Sequence, residues 1–129
     1  MPSDKQTLRP TQGELEILQV LWRRGPSTVR QVHQPLVASK GTSYNTTLKL
    51  LQIMLDKGIV QRDESQRPQV YRAALAEQQT QRRLVRDLLQ RVFGGSARKL
   101  VAALTTSDIP QDEINEIRKL LSNSEENQP

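Results

Sequence analysis

With 129 residues, 14.7 kDa, 35% apolar and 3% aromatic residues, the chain is one ordinary domain or two very small ones, too small for a large enzyme and too lean for one deep core. It has no cysteine and one histidine, which excludes disulfides, thiolate zinc sites and cysteine nucleophiles and argues against a catalytic metal held by protein ligands alone; neither cofactor nor metal is expected. The net charge of +5 lies wholly in the front: residues 1 to 75 hold 11 Lys/Arg against 6 Asp/Glu, residues 76 to 129 hold 8 against 8, so a polyanion-binding module precedes an interaction module.

The opening MPSDKQTLRP has no apolar run fit for a signal peptide, and no later stretch approaches a membrane span. A cytoplasmic protein without membrane insertion is expected. From Thr11 to Arg24 a capping box of Thr11 and Glu14 precedes Leu15, Leu18, Leu21 and Trp22 at helical spacing, and Gly25-Pro26 ends the run. Ser27 is placed to cap a second, shorter helix with Val29, Val32 and Leu36 on one face, which Pro35 should kink or terminate. A third helix runs from about Ser43 to Lys57, with Leu48, Leu51, Met54 and Leu55 as its apolar stripe and Gly58 as its stop. The period then changes. IleValGlnArg at 59 to 62 and GlnValTyrArg at 69 to 72 alternate as short strands do, and the polar six-residue bridge between them suits a hairpin.

From Ala76 the pattern is helical again, with Leu84, Val85, Leu88, Leu89, Val92 and Phe93 on one face up to Gly94-Gly95. Ser96 can cap a helix through Leu100, Val101 and Leu104, and Pro110 opens a last one carrying Ile114, Ile117, Leu120 and Leu121. Three short amphipathic helices cannot close a core alone, so a second copy is expected against Leu84, Leu88, Val92, Leu100, Val101, Leu104, Ile117, Leu120 and Leu121. An internal pack against residues 11 to 40 is the alternative. The fold class is mainly α with a small β-hairpin wing: an N-terminal winged helix-turn-helix over 8 to 75, a helical dimerisation region over 76 to 122, and flexible tails at 1 to 7 and 123 to 129.

In a helix-turn-helix the second helix of the motif enters the major groove with its N-terminal residues at base edges. Thr42, Ser43, Asn45, Thr46 and Thr47, with Tyr44 among them, give the third helix a polar, hydroxyl-rich front that suits this task. Ser43, Tyr44, Asn45, Thr46 and Lys49 are the candidate DNA contacts there; Arg30 and Lys40 flank the helix. Arg62, Arg67 and Arg72 lie on or beside the wing, with Arg67 at its tip the first choice for a phosphate contact. His33 is assigned to packing or hydrogen bonding. Glu14 with Glu16, and Asp112 with Glu113, sit in first turns of helices where carboxylates favour the dipole, so no catalysis is assigned to them.

The stretches "TQGELEILQVLW", "STVRQVHQPL", "SYNTTLKLLQIMLDKGIV", "YRAALAEQQ", "VFGGSARKLVAAL" and "DEINEIRKLL" together resemble the penicillinase repressor family over residues 8 to 122. The most specific parts are the Leu-Trp of the first helix, the Val-x-x-Val-His of the second and the Phe-Gly-Gly-Ser junction. The resemblance implies a dimer with a winged helix on a palindromic operator in double-stranded DNA and a C-terminal helical dimerisation region. Against the family's usual Thr-Val-x-Thr and Leu-x-Arg-Leu, this chain has Thr46, Thr47, Leu48, Lys49 and Leu51, Gln52, Ile53, Met54, so Ile53 replaces the usual arginine and Lys49 implies a different operator. Copper-responsive members carry C-terminal cysteine pairs, absent here. Drug-responsive members are cleaved at an Asn-Phe bond after a membrane sensor acts; the matching bond is Ala103–Leu104, so either the signal differs or a regulatory protease of another preference acts.

These readings converge on a bacterial transcriptional repressor that is not an enzyme. The rival is a winged-helix interaction module whose basic half meets an acidic protein partner.

Overall fold

The computed structural model describes residues 9 to 126, with side chains through residue 122. Helix α1 (Gln12–Arg24) starts at a reciprocal cap: the Thr11 hydroxyl accepts from the Glu14 amide at 3.2 Å, and the Glu14 carboxylate accepts from the Thr11 amide at 2.9 Å.

Helix α2 (Val29–Lys40) corrects the expected cap and, of the two outcomes expected of Pro35, rules out termination. Its cap is Thr28, boxed with Gln31, and not Ser27. Ser27 is buried instead and exchanges two backbone hydrogen bonds with Tyr71, at 2.8 and 2.7 Å, as a one-residue strand. Nor does Pro35 end the helix, which runs on to Lys40. Proline removes the amide that would have bonded the Gln31 carbonyl; here Arg24 Nη1 donates to that oxygen at 3.2 Å, so the acceptor is not orphaned.

Helix α3 (Tyr44–Lys57) is capped by Ser43 and ends at Gly58, whose φ of 81° and ψ of 14° are left-handed and let the chain turn directly into a strand. Strands β1 (Val60–Asp63) and β2 (Val70–Ala73) pair antiparallel, with Val60 opposite Ala73 and Arg62 opposite Tyr71, one residue later than the alternation predicts at either strand. Ile17, Leu18 and Leu21 of α1, Val32 and Leu36 of α2, Leu51 and Met54 of α3, and Ile59, Val60 and Tyr71 form one buried core. Leu48, expected in that stripe, is only half-buried; Thr47 is fully buried in its stead, although the sequence reading put it on the DNA-facing front.

Three further helices follow: α4 (Glu77–Phe93), α5 (Ala97–Thr106), capped by Ser96 as expected, and α6 (Gln111–Glu126), which continues past residue 122. The tail expectations at 1 to 7 and 127 to 129 lie outside the described residues. The chain divides into two compact units, one reaching Arg82 and one beginning at Arg83, so the first two turns of α4 go with the winged helix. Trp22 serves that first unit: its indole N–H donates to the Leu75 carbonyl at 2.9 Å, pinning the chain just after the wing. In the second unit no described side chain is fully buried. Val92 is 63%, Leu120 68% and Leu121 50% exposed, while Leu100, Val101, Leu104 and Ile117 are half-buried.

Candidate nucleic-acid interface

At about 100° per residue, Thr47, Leu51 and Met54 share the side of α3 that faces the core, and Asn45, Thr46, Lys49, Gln52, Ile53 and Asp56 share the opposite side. All six of the latter are exposed. Their chemistry changes along the axis: amide and hydroxyl first, a lysine in the second turn, then Gln52 and Ile53, and Asp56 at the far end. Positive partial charge from the unpaired amides gathers at the N-terminal end, where the hydrogen-bonding side chains also are. Positive charge is therefore concentrated over the first two turns, and Asp56 places a negative charge at the last.

Ser43 and Thr46 are joined to each other. The Ser43 hydroxyl accepts from the Thr46 amide at 3.1 Å and lies 2.8 Å from the Thr46 hydroxyl, so the cap orders both groups while leaving them on the surface. Asn45, Lys49 and Gln52 make no side-chain hydrogen bond among the described residues, and their capacity is open to a ligand. Tyr44, 46% exposed, opens the helix on the side facing α2, with its ring nearly perpendicular to His33, at 81° and 5.5 Å between centroids. The His33 Nδ1 lies 3.0 Å from the Thr47 hydroxyl, which gives the histidine the hydrogen-bonding role expected of it.

The cations fall into two groups. Arg30 and Lys49 are exposed and carry no ion pair among the described residues. Lys40 is bonded to Glu16, and that bond, before any other influence, holds the Glu16 carboxyl below its ordinary value. Arg62 stands half-buried beside Tyr71, whose hydroxyl is the main reason its guanidinium is raised above its ordinary value, and it pairs with Glu64 at 3.3 Å. Arg67 is exposed at the turn of the wing, where its Nη1 donates to the Glu64 carbonyl at 2.9 Å; Arg72 donates to the Gln61 side chain at 3.0 Å. The predicted contacts on α3 are thus gathered on one helix end. Those on the wing are spread over a hairpin whose own acids and carbonyls already hold them.

Sequence reasoning left two features out. Gln52, Ile53 and Asp56 complete the outward face; the first two were noted only against the family's pattern, and their spacing from Asn45 and Lys49 was the available signal for the face itself. The second is Lys57, whose ammonium donates to both oxygens of buried Glu14 at 3.0 and 2.8 Å and so ties the end of α3 to the start of α1. No local pattern links positions 43 residues apart.

No helix among the described residues is long and apolar enough to cross a membrane. The chain is 22% identical over 120 residues, 92% of its length and 98% of the relative's, to the methicillin resistance regulatory protein MecI of Staphylococcus aureus. It is 28% identical over 116 residues, 88% of its length and 84% of the relative's, to the transcriptional regulator BlaI of Mycobacterium tuberculosis. A solved structure of a MarR family transcriptional regulator from Silicibacter pomeroyi DSS aligns with a TM-score of 0.43 at 16% identity, over 90% of this chain and 69% of that one. The model of the penicillinase repressor family matches residues 10–123, nearly the whole of both units, and the chain belongs to that family.

Proposed function

We propose that the chain is a cytoplasmic transcriptional repressor that binds double-stranded DNA as a homodimer, each α3 reading half of an inverted repeat. The observation that carries this reading is the outward face of α3, where Asn45, Thr46 and Lys49 stand exposed over the first two turns on a helix whose other side is locked in the core. Amide, hydroxyl and ammonium groups are the ones that discriminate base edges in the major groove. Ser43, Tyr44, Arg30 and Lys40 flank that face. On the wing, Arg67 is the phosphate contact and Arg62 supports the hairpin.

Dimerisation by the second unit is supported by the lack of any fully buried side chain among its described residues, since three amphipathic helices with open apolar faces need another surface to exclude water. Leu84, Leu88, Val92, Leu100, Val101, Leu104, Ile117, Leu120 and Leu121 supply that surface. Release by a regulatory protease would act at Ala103–Leu104, which lies inside α5 and is half-buried, so cleavage there needs α5 to unwind first.

The test is selection of duplexes from a random-sequence pool by the full chain, followed by titration of the recovered duplex against a scrambled one at the same salt. An inverted repeat, bound by two protomers with a preference of roughly a thousandfold or more, is expected. Recovered duplexes with no shared sequence, bound weakly and equally with the scrambled control, would rule the repressor reading out and favour an acidic protein partner.

A further inference from the structure

Asn45 and Thr46 owe their usefulness to direction: a base-reading side chain displaced by about 1 Å loses its bidentate geometry. Their immediate neighbours on either side, Tyr44 and Thr47, both touch one residue of α2. The imidazole of His33 is hydrogen-bonded to the Thr47 hydroxyl at 3.0 Å and packs perpendicular to the Tyr44 ring. The Thr47 hydroxyl also reaches the Ser43 carbonyl at 3.4 Å, so the same group closes onto the capping residue. Thr47 is fully buried, so nothing in solvent can replace the bond from His33 if it is lost.

We propose that His33 is the positioning residue of the recognition helix: by bonding Thr47 and bracing Tyr44 it fixes the rotation of the first turn of α3 and thereby the aim of Asn45 and Thr46. This rests on the DNA-reading role of α3. The apolar core contacts of α3 begin at Leu50, about one turn further on, and the Ser43 cap is internal to the helix and orients it against nothing else. The His33 contacts are the polar link between α2 and the first turn. Charge and base contact are not required of His33; it acts through its two neighbours.

The test uses the full chain, a duplex selected from a random pool by the wild-type protein, and a scrambled duplex. His33→Leu keeps apolar volume and removes the ring nitrogens; it should lower the ratio of selected to scrambled affinity roughly tenfold, the upper range for one hydrogen bond, with scrambled affinity little changed; the unfolding midpoint falls because buried Thr47 loses a partner, so both affinities are read well below it. His33→Asn, whose amide can stand near the Nδ1 position, should recover most of the ratio. Thr47→Val removes the bond from the other side, and combined with His33→Leu it should add nothing further, the mark of two residues acting as one unit. Amide exchange at Asn45, Thr46 and Thr47 should quicken in His33→Leu while core amides hold their rates. Equal loss on both duplexes, an unchanged ratio, additive effects or unchanged exchange would each overturn the proposal. A wild-type protein that selects no duplex would refute the DNA reading itself, and the exchange rates would then decide alone whether His33 orders the turn.

Discussion

Replacing either partner of the Glu14 and Lys57 pair should destabilise the first unit unequally, because the two ends of the bond see different surroundings. The Glu14 side chain is 2% exposed and the Lys57 side chain 28%. Lys57→Met leaves a buried carboxylate with only the Thr11 amide as donor, which costs about 3 to 5 kcal/mol, the range for breaking a buried pair from one side. Glu14→Gln leaves an ammonium that can turn into water and keeps an acceptor for Thr11, so the loss is about 1 to 2 kcal/mol, that of a charged hydrogen bond. Made together, the two changes should cost no more than about 1 kcal/mol beyond Glu14→Gln, since no uncompensated charge is left inside. Urea unfolding followed by fluorescence of Trp22, the sole tryptophan, reports this unit directly, because its indole bonds to Leu75 beside the wing. A Glu14→Gln variant as damaged as Lys57→Met, or a double variant worse than both, would refute the assignment of the cost to the stranded carboxylate.

Asn45→Ala should weaken binding to the selected duplex by about 1 to 3 kcal/mol and leave scrambled DNA unaffected, whereas Lys49→Ala should also reduce the slope of binding against log salt by about 1; anisotropy titrations over a salt series separate the two. The Ser65 hydroxyl, then the Gln66 side chain and the Ser65 amide, hold the Asp63 carboxyl below its ordinary value of 3.8. A depressed carboxyl contributes stability above its unfolded value and loses it as pH falls through the folded one, so the wing turn should hold at neutral pH and loosen only in acid. An Asp63 midpoint below 3.8 in an NMR titration is the expected result, and one at or above it counts against these bonds. Val92→Glu or Leu120→Glu should shift sedimentation toward monomer and weaken operator binding without moving the Trp22 unfolding midpoint; dimers that persist in both would place the interface elsewhere.

What was legible in the chain depended on range. Capping boxes, the 3.6-residue stripes and the left-handed Gly58 act within one turn, so the six helices and the hairpin among the described residues followed from local pattern. Ser27 misled because serine before a helix reads as a cap, and only the pairing with Tyr71, distant in the chain, reassigns it to the sheet. Pro35 does not terminate its helix, and the Gln31 carbonyl it leaves without an amide accepts from Arg24 of the preceding helix, a partner that no local pattern shows. Thr47 looked like its polar neighbours in composition, yet the helical angle that sends Asn45 outward sends Thr47 inward. The engagement of Arg62 and Arg72 with Glu64, Gln61 and Tyr71 depends on how the two strands pair, and alternation placed both strand ranges one residue early.

Helix α3 is held at three separate points. Lys57 at its end is bonded to Glu14, Leu51 and Met54 in its middle are buried in the core, and Thr47 in its first turn is bonded to His33. None of these belongs to the outward face, and Asn45, Lys49 and Gln52 bond to nothing within the chain among the described residues. Exposed side chains of that kind change stability by only about 0.5 kcal/mol either way when replaced. Rigidity and recognition therefore rest on different residues. On the proposed DNA-reading role, Lys49, and Ile53 in place of the arginine the family resemblance implies, can vary without cost to the fold, because neither side chain is held in the core. The arrangement also predicts where function and folding part company: replacing Asn45 and Lys49 together should abolish discrimination between duplexes while the unfolding curve of the first unit stays where it was. A large loss of stability in that variant would mean that the reading face is part of what holds the helix.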